Sequence, residues 1–482
     1  MTVPVDGVAP IVLAVLPISE SETSADLVPH LMKILRGLIA RNIQIVSYAC
    51  DGTKLEWKVQ RLILSEAGSQ IKYRIKNPRN GMPDTNITIP VINNQPVCLL
   101  QDSKHALKTL RNNLFSGAQL LTFGNHTMLY STICDLAFSN GSPLYHRDVE
   151  KLDRQDDNAA SRLFSADTLS YLTNHYPNNT GEIVYLFVFG DLIDAYQNRS
   201  LLHCERIKML LRAKYFLDYW ERFIIRAGYK KVRHFLSREA TDILRQIIEG
   251  LLALIYVYRG HLTNLNNINP LLPWLHSTEQ CEHIFGEARR IVKDFCFLDF
   301  VYMHPKLHVT LREAMLGAWS DPRAIASGYN HTHFDTRGLD IPVLATFPND
   351  DEIDTMAKEA ADEAESLLAL LGISPKQLRC DPVMMLPPIN SFQAGEASQG
   401  NHQNDQDSEI DGEGEDDTAI SEARELKGLV RRVEESEKGN VLRLAEAVAL
   451  VTADEFMRMY VFYIQSGHYG KLNGHIVKSL PS

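Results

Sequence analysis

The sequence predicts an α/β domain that is interrupted by a large all-helical segment. Over the first hundred residues, stretches with a strand pattern alternate with stretches of helical period. From about residue 117 to 270 the apolar residues recur at helical spacing instead. After about residue 345 the composition becomes acidic, and then rich in Gly, Ser and Gln.

The α/β part is predicted from short apolar runs and amphipathic stretches in alternating order. We expect buried strands at 11–18, 42–48 and 97–100, an exposed strand at 71–75, and helices at 25–40, 53–65 and 104–114. The order strand–helix–strand–helix–strand favours a sheet with parallel neighbours. Residues 79–86 are rich in turn-forming residues and are predicted to be a loop.

The later parts of the chain carry the remaining helical patterns. The helical segment has its clearest amphipathic periods at 184–196, 215–226 and 238–258, and Trp220 is expected to be buried there. Residues 392–420 have almost no aromatic side chains and are expected to be disordered. Charged and apolar helices are predicted beyond that stretch, at 422–437 and 442–464.

The composition limits the class of protein. A chain of 482 residues with 45% hydrophobic content is long enough for two or three domains with substantial cores. Its seven cysteines are scattered and form no C-x-x-C pair, which argues against a disulfide framework or a zinc site and for a reducing compartment. The N-terminus has no secretory-signal pattern, and no apolar run approaches the length of a membrane span. These observations predict a soluble intracellular protein.

The formal net charge of −11 is concentrated in two segments. Residues 349–365 contain eight acids and one lysine, and residues 401–417 contain eight acids and no base. The body formed by residues 1–348 has a net charge of +3. A mildly basic body with acidic appendages is compatible with nucleic-acid contact but does not require it.

Two carboxylates follow predicted parallel strands. Asp51 follows the strand at 42–48, and Asp102 follows the strand at 97–100. Open α/β sheets bind ligands at the carboxyl ends of their strands, and Gly52 allows a tight exit from the first of these two strands. The alternative is structural, because Asp51-Gly52 can be a simple turn and Asp102 or Ser103 can cap the next helix.

A third carboxylate lies on a predicted helix with the sequence S-T-E-Q-C-E-H-I-F-G-E-A-R-R, residues 277–290. Cys281, Ile284, Phe285 and Ala288 define its buried face, and Glu282 lies at the edge of that face. A carboxylate in that position is either a metal ligand or a solvated residue at the rim of the helix, and the residues alone favour the rim.

Two motifs resemble parts of eukaryotic cut-and-paste transposases. The run D-S-K-H-A-L-K-T-L-R-N-N, residues 102–113, is similar to the D-x-x-H-x-x-K-x-x-R-N element of the P-element-type family. The run E-H-I-F-G, residues 282–286, resembles the catalytic-glutamate helix of that group, and the hAT transposases carry a comparable E-R-x-F-S. The resemblance covers about residues 10–320. Each motif is weak alone, but their order around a long helical insertion is moderately specific.

The resemblance implies an RNase H-like core with two Asp and one Glu that hold two divalent metal ions, Mg²⁺ or Mn²⁺. By motif, Asp51 matches the second catalytic aspartate and Glu282 the glutamate. Asp102 and His105 match an element that supports the site. The bases expected to contact DNA are Lys104, Lys108, Arg111, Arg289 and Arg290.

The chain departs from the family pattern at the first aspartate, which should lie on an antiparallel hairpin upstream of residue 11. Only Asp6, in a loop rich in Pro and Gly, precedes that point. The alternative, with Asp51 as the first carboxylate and Asp102 as the second, conflicts with the expected order of three strands followed by a helix. We therefore expect a transposase-derived DNA-binding protein that lacks one catalytic carboxylate. The alternative function is a non-catalytic helical scaffold for protein interactions.

Further expectations follow from the resemblance. It implies a nuclear or nucleocytoplasmic location, DNA as partner, no membrane, and compatibility with a homo-oligomer. P-element-type relatives bind GTP through their insertion, but this sequence contains no G-x-x-x-x-G-K-S/T loop. The predicted divisions are an N-terminal core part without its first hairpin (1–116), a helical insertion (117–272) and a C-terminal core part (273–345). They are followed by an acidic helical extension (346–391), a disordered acidic linker (392–420) and a helical tail (421–482).

Overall fold

The computed structural model describes residues 12–17, 22–115, 119–150, 153–262, 269–315, 338–379, 457–458 and 461–465. Over these residues the protein is mostly helical with a few small sheets. The predicted linker at 392–420 and the predicted helix at 422–437 lie outside the described residues. No helix within the described ranges is long and apolar enough to cross a membrane.

The elements are numbered in chain order. The strands are β1 (Leu16–Pro17), β2 (Gln44–Cys50), β3 (Ser69–Ile75), β4 (Thr85–Ile92), β5 (Gln95–Pro96), β6 (Cys98–Gln101), β7 (Thr122–Phe123), β8 (His126–Thr127), β9 (Met457–Arg458) and β10 (Val461–Gln465). The helices are α1 (Ser24–Ile39), α2 (Lys54–Glu66), α3 (Ser103–Phe115), α4 (Tyr130–Phe138), α5 (Arg147–Glu150), α6 (Asp157–Leu163), α7 (Ala166–His175), α8 (Thr180–Gln197), α9 (His203–Arg226), α10 (Lys231–His234), α11 (Arg238–Val257), α12 (Glu279–Ile291), α13 (Phe297–Met315), α14 (Ile341–Leu344), α15 (Asp350–Leu370) and α16 (Pro375–Arg379).

The first helices form where the sequence places both caps and apolar faces. Before α1, the backbone N–H of Thr23 donates to the carboxylate of Asp26 at 2.8 Å, which satisfies a donor at the helix end. Leu27, Leu31 and Leu35 then recur at helical spacing and are buried. The helices predicted at 25–40, 53–65 and 104–114 are all present, with each end shifted by one residue.

The sheets differ from the predicted parallel arrangement. β2 pairs in parallel with β6, but β10 pairs with β2 antiparallel, and β3, β4 and β5 form an antiparallel sheet of their own. The predicted loop at 79–86 runs into β4, whose alternating buried positions went unrecognised. Asn93 and Asn94 have φ angles of 46° and 67°, which fits the tight turn that joins β4 to β5.

The predicted helix at 442–464 is wrong where the structure describes it. β9 and β10 are extended strands, and β10 is hydrogen-bonded along β2. The run V-F-Y-I within β10 is made of β-branched and aromatic residues, which favour a strand when a sheet edge is present to pair with. The helical period was therefore misleading, because the pairing partner lies about four hundred positions earlier in the chain.

The helical insertion packs directly on the sheets. One hydrophobic core contains residues of β4, β6 and the helices α3, α8, α9 and α11. Trp220 of α9 is buried, as predicted, and its indole N–H donates to the carbonyl of Thr122 at 2.8 Å. α11 approaches β6 at Gly250, where an added Cβ would lie 2.7 Å from Cδ2 of Leu100. The insertion and the sheets therefore share a core rather than forming separate bodies.

The acidic stretch beginning at residue 349 belongs to the folded body. It forms α15, which packs along α9. Arg212 of α9 donates to Glu363 at 2.6 Å, and the hydroxyl of Tyr219 donates to Glu365 at 2.7 Å. The acids that the composition suggested were an appendage therefore pair with polar and basic side chains on a neighbouring helix. Within the predicted division 346–391, helix is present at α15 and α16, and residues 380–391 lie outside the described part.

We predict that Gly250→Val destabilises the protein by about 1–3 kcal/mol, because the added methyl groups overpack the contact between α11 and β6. Urea denaturation followed by circular dichroism measures the change. Gly68→Val is the matched control, since an added Cβ at Gly68 meets no atom within 4 Å. An equal effect of the two substitutions would show that the close approach of α11 to β6 is not what constrains residue 250.

Candidate functional site

Asp51 and Asp102 lie at the same edge of the sheet. β2 ends at Cys50 and β6 ends at Gln101, and these two residues are paired in the parallel register. The backbone N–H of Asp102 donates to the carbonyl of Cys50 at 2.9 Å, which extends the ladder by one bond. The two aspartates therefore follow neighbouring parallel strands, at the position where such sheets place their functional groups.

The backbone around Asp51 is fixed by local contacts. The N–H of Asp51 donates to the carboxylate of Glu56 at 3.2 Å, and its own carboxylate accepts from the N–H of Thr53 at 3.4 Å. Gly52 has a φ of 92°, and a Cβ there would lie 2.7 Å from Oε1 of Gln101. Glycine is therefore required at residue 52 both for the backbone conformation and for space.

The carboxyl group of Asp102 is buried and accepts two hydrogen bonds. It is 1% exposed. Its Oδ1 accepts from the backbone N–H of Lys104 at 3.0 Å, at the start of α3. Its Oδ2 accepts from the hydroxyl of Thr278 at 2.8 Å, and Thr278 is the residue that precedes α12. Asp102 therefore connects the end of β6 to the beginning of the helix that carries Glu282.

Two further contacts hold the start of α12 against the sheet. The ammonium group of Lys104 is 2.5 Å from the carboxylate of Glu279, a residue in the first turn of α12. The buried hydroxyl of Ser47 on β2 lies 2.8 Å from Nδ1 of His276. Burial lowers the pKa of His276 to about 3, so the imidazole is neutral at physiological pH and acts as a hydrogen-bonding group without charge.

Glu282 lies close enough to Asp102 for their charges to interact. Partial burial raises the pKa of Glu282 to about 7, and the negative charge of Asp102 acts in the same direction. Burial likewise raises the pKa of Asp102. Burial also raises the pKa of the adjacent Cys281 thiol, as do nearby carboxylates that include Glu282 and Asp51. The side chain of Glu282 also reaches solvent, which screens its interaction with the charge of Asp102.

These carboxylates fit a divalent cation by their chemistry. Carboxylate oxygens are the ligands that Mg²⁺ and Mn²⁺ prefer, and a cation would favour the ionised forms of Asp102 and Glu282 that their surroundings disfavour. Among the residues described, however, the His, Cys, Asp and Glu side chains form no group of three or more that could hold a metal ion.

The bases predicted on α3 are engaged with the protein itself. Lys108 is 9% exposed and pairs with Asp157 at 3.0 Å. Arg111 is 1% exposed and donates to the backbone carbonyls of Asp153 and Asp148 at 2.8 and 3.0 Å. These positions give both side chains a structural role and leave little of either surface for a phosphate group. Lys104 is similarly occupied by its ion pair with the first turn of α12.

The remaining predicted residues lie at more accessible positions. Arg289 and Arg290 are exposed in the last turn of α12, beyond Glu282, and Arg290 also contacts Glu287 at 2.9 Å. His105 is half-buried in the first turn of α3, next to Lys104. The structure therefore places Asp51 and Asp102 after neighbouring strands, places Glu282 within electrostatic reach of Asp102, and leaves the two arginines farther along α12.

The sequence reasoning missed several residues that surround the site, and they differ in whether a local signal marks them. Glu56 could have been found, since T-x-x-E at residues 53–56 is a capping-box pattern that places a carboxylate beside Asp51. Thr278 could not have been found from a local pattern, because its partner Asp102 lies 176 positions away. Nothing local marks Ser47 and His276 as partners, because they are 229 positions apart.

Comparison with protein-family models, with curated proteins and with solved structures finds no match for this chain. The residues of the site and their geometry are therefore the basis on which a function is proposed.

We predict that Glu282→Gln removes part of the pH dependence of stability. The folded-state pKa of Glu282 is above its unfolded value, so the wild-type protein takes up a proton on folding at intermediate pH. The stability of the wild-type protein should therefore fall as pH rises from about 4.5 to about 7, and the stability of the Gln variant should fall less over the same range. Urea midpoints measured between pH 5 and 8 test this.

Glu205→Gln is the control for that measurement, because Glu205 is also exposed in the first turn of a helix but belongs to α9. The control should keep the wild-type pH profile. Parallel profiles for wild type and Glu282→Gln would mean that the surroundings of Glu282 do not disfavour its charge.

Proposed function

We propose that this chain is a transposase-derived DNA-binding protein whose RNase H-like core carries out metal-dependent phosphodiester cleavage and strand transfer. The supporting observation is that Asp51 and Asp102 follow neighbouring parallel strands while Asp102 is hydrogen-bonded to the start of the helix that carries Glu282. These two contacts join segments that are about 50 and 180 positions apart in the chain.

In this proposal Asp102 takes the place of the carboxylate that is missing from the family pattern at the N-terminus. By motif alone, Asp51 matches the second catalytic position, and the first is expected on an upstream hairpin. The parallel pairing of β2 with β6 supports another assignment, with Asp51 as the first carboxylate and Asp102 as the second, although α2 still lies between the two strands in the chain. β3, which the sequence pattern predicted, and β4, which it did not, also lie between them in the chain and form an antiparallel sheet of their own with β5.

Each residue has a defined part in the proposed chemistry. Asp51, Asp102 and Glu282 would hold the divalent ions, which neutralise the entering and leaving oxygens of an in-line phosphoryl transfer when bound. Thr278 donates to one oxygen of Asp102 and the backbone N–H of Lys104 donates to the other, and these two donors fix the orientation of the carboxylate. The ion pair between Lys104 and Glu279 holds α12 in register with α3.

The raised pKa of Glu282 gives the proposed reaction a pH dependence. A protonated carboxyl is a poor ligand, so cation binding must displace the proton. Because the pKa of Glu282 is raised to about 7, binding of Mg²⁺ should strengthen as pH rises through that value. The exposed arginines beyond Glu282 would contact the phosphate backbone of DNA, on the part of α12 that leads away from the carboxylates.

We predict that the purified protein cleaves or joins DNA in the presence of Mg²⁺ or Mn²⁺, and that Asp51→Asn and Glu282→Gln each lower the rate at least a thousand-fold, roughly the loss of several kcal/mol of transition-state stabilisation. Both substitutions keep the shape of the side chain. Glu205→Gln serves as the matched control and should retain the wild-type rate, because its carboxylate lies on α9.

Metal binding is measured alongside activity by isothermal titration calorimetry. Mg²⁺ should bind the wild-type protein more tightly at pH 8 than at pH 6, and Asp102→Asn should weaken it. Cleavage that survives Glu282→Gln would exclude the proposed catalytic role of Glu282. DNA binding without cleavage, together with no binding of Mg²⁺ or Mn²⁺, would leave only the nucleic-acid-binding part of the proposal.

We predict that replacing Arg289 and Arg290 together by Ala weakens DNA binding and lowers the slope of log K against log salt by about 2, because each arginine would neutralise one phosphate group. Fluorescence anisotropy over a range of salt concentrations measures the slope. Lys33→Ala with Lys358→Ala is the control, since both lysines are exposed on other helices, α1 and α15. An unchanged slope in the double arginine variant would place the DNA-binding surface elsewhere.

A further inference from the structure

α13 has an apolar face that packs inside the protein. Phe300, Met303, Leu307 and Leu311 are buried, and they form a small hydrophobic cluster with Ile284 and other residues of α12. Their spacing of three and four residues is that of one helical stripe. This stripe accounts for the attachment of α13 to the body of the protein.

The opposite face of α13 is also apolar, and it is exposed. Leu298 is 57% exposed, Val301 50%, Tyr302 75% and Val309 54%. Pro305 lies on the same face and is exposed as well. At a rise of 1.5 Å per residue, this face extends for about 16 Å from residue 298 to residue 309. A contiguous exposed apolar stripe of this kind is typical of an interaction surface.

Two opposite charges flank the exposed face on one side. Asp299 and Lys306 are seven residues apart, so they lie above one another along the same edge of the helix. The carboxylate of Asp299 accepts a local hydrogen bond from the N–H of Cys296 at 2.9 Å and remains half-exposed, and Lys306 is exposed. The acid lies near the start of the stripe and the base near its end. When two copies of the helix run antiparallel along this edge, each acid therefore faces a base.

We propose that the occupant of this face is α13 of a second copy of the chain, packed antiparallel. The twofold axis that relates the two copies would cross the helix at the level between Tyr302 and Met303. In that arrangement Asp299 of each copy faces Lys306 of the other, which forms two equivalent ion pairs. Twofold interfaces are isologous, so one patch must complement itself, and the charge pattern of this edge meets that requirement. The apolar residues between the charges would then be removed from water on both copies.

The proposed dimer is independent of the proposed chemistry. It depends on the exposure of α13 and on two flanking charges, and its test needs neither DNA nor metal. If the protein cleaves DNA as a monomer, the proposed function holds and the proposed dimer does not. If it forms a dimer without catalytic activity, the dimer holds and the catalytic proposal does not.

The experiment measures the mass of the full chain by analytical ultracentrifugation at low ionic strength, over a range of concentrations. The wild-type protein should sediment as a concentration-dependent dimer. Lys306→Glu places two like-charge pairs across the interface, and Asp299→Lys does the same with the opposite sign. Each variant alone should dimerise at least tenfold more weakly than the wild type.

Mixing the two variants provides the decisive arm. A chain with Asp299→Lys carries two bases along this edge, and a chain with Lys306→Glu carries two acids, so a mixed pair has both ion pairs restored. The mixture should therefore form a heterodimer although neither variant forms a strong homodimer. Lys58→Glu, an exposed charge reversal on α2, is the control and should dimerise like the wild type.

Other results would overturn the proposal. A wild-type chain that remains monomeric at every concentration would show that α13 does not bind a second copy. A dimer that is unaffected by either charge reversal would have a different interface. Should Asp299→Lys fail to fold because its hydrogen bond to Cys296 is removed, Val309→Glu tests the same face, and retention of the wild-type dimer by that variant would also contradict the proposal.

Discussion

The hydrogen bond from Thr278 to the buried carboxyl of Asp102 is the contact on which the arrangement of the site depends. It joins the end of a strand to the beginning of a helix 176 positions later in the chain. A buried carboxyl without such donors would be costly, because burial disfavours its charge. The contact therefore satisfies Asp102 and, at the same time, fixes the direction in which α12 leaves the sheet.

The neighbouring contacts depend on the same placement. Lys104 can reach Glu279 because both residues lie in the first turns of helices that begin beside Asp102. The pair formed by Ser47 and His276 fixes the segment before α12 to β2. A neutral imidazole suits that buried position, since its low pKa keeps a charge out of the core. Polar contacts of this kind define one orientation, which apolar packing alone specifies less sharply.

Much of the local structure could be predicted because its causes are local. The cap at Thr23 and the apolar stripe that includes Leu31 lie within one helix, so periodicity and capping chemistry were sufficient for α1. The burial of Trp220 followed from its size and helical setting. The strand β10 was missed because its sequence pattern has strand character only when the edge of β2 is available to pair with.

The sequence by itself determined which carboxylates are candidates for a site: Asp51 after a strand, Asp102 before a helix, and Glu282 at the rim of an amphipathic stripe. Only the tertiary structure decided which of them are neighbours. The parallel register of β2 with β6 brings the two aspartates to one edge, and it is set by pairing between segments about fifty residues apart. The tertiary structure also buried Arg111 among backbone carbonyls. Its long side chain could equally have reached solvent, because burial depends on packing against α5 and the residues after it, which no local pattern specifies.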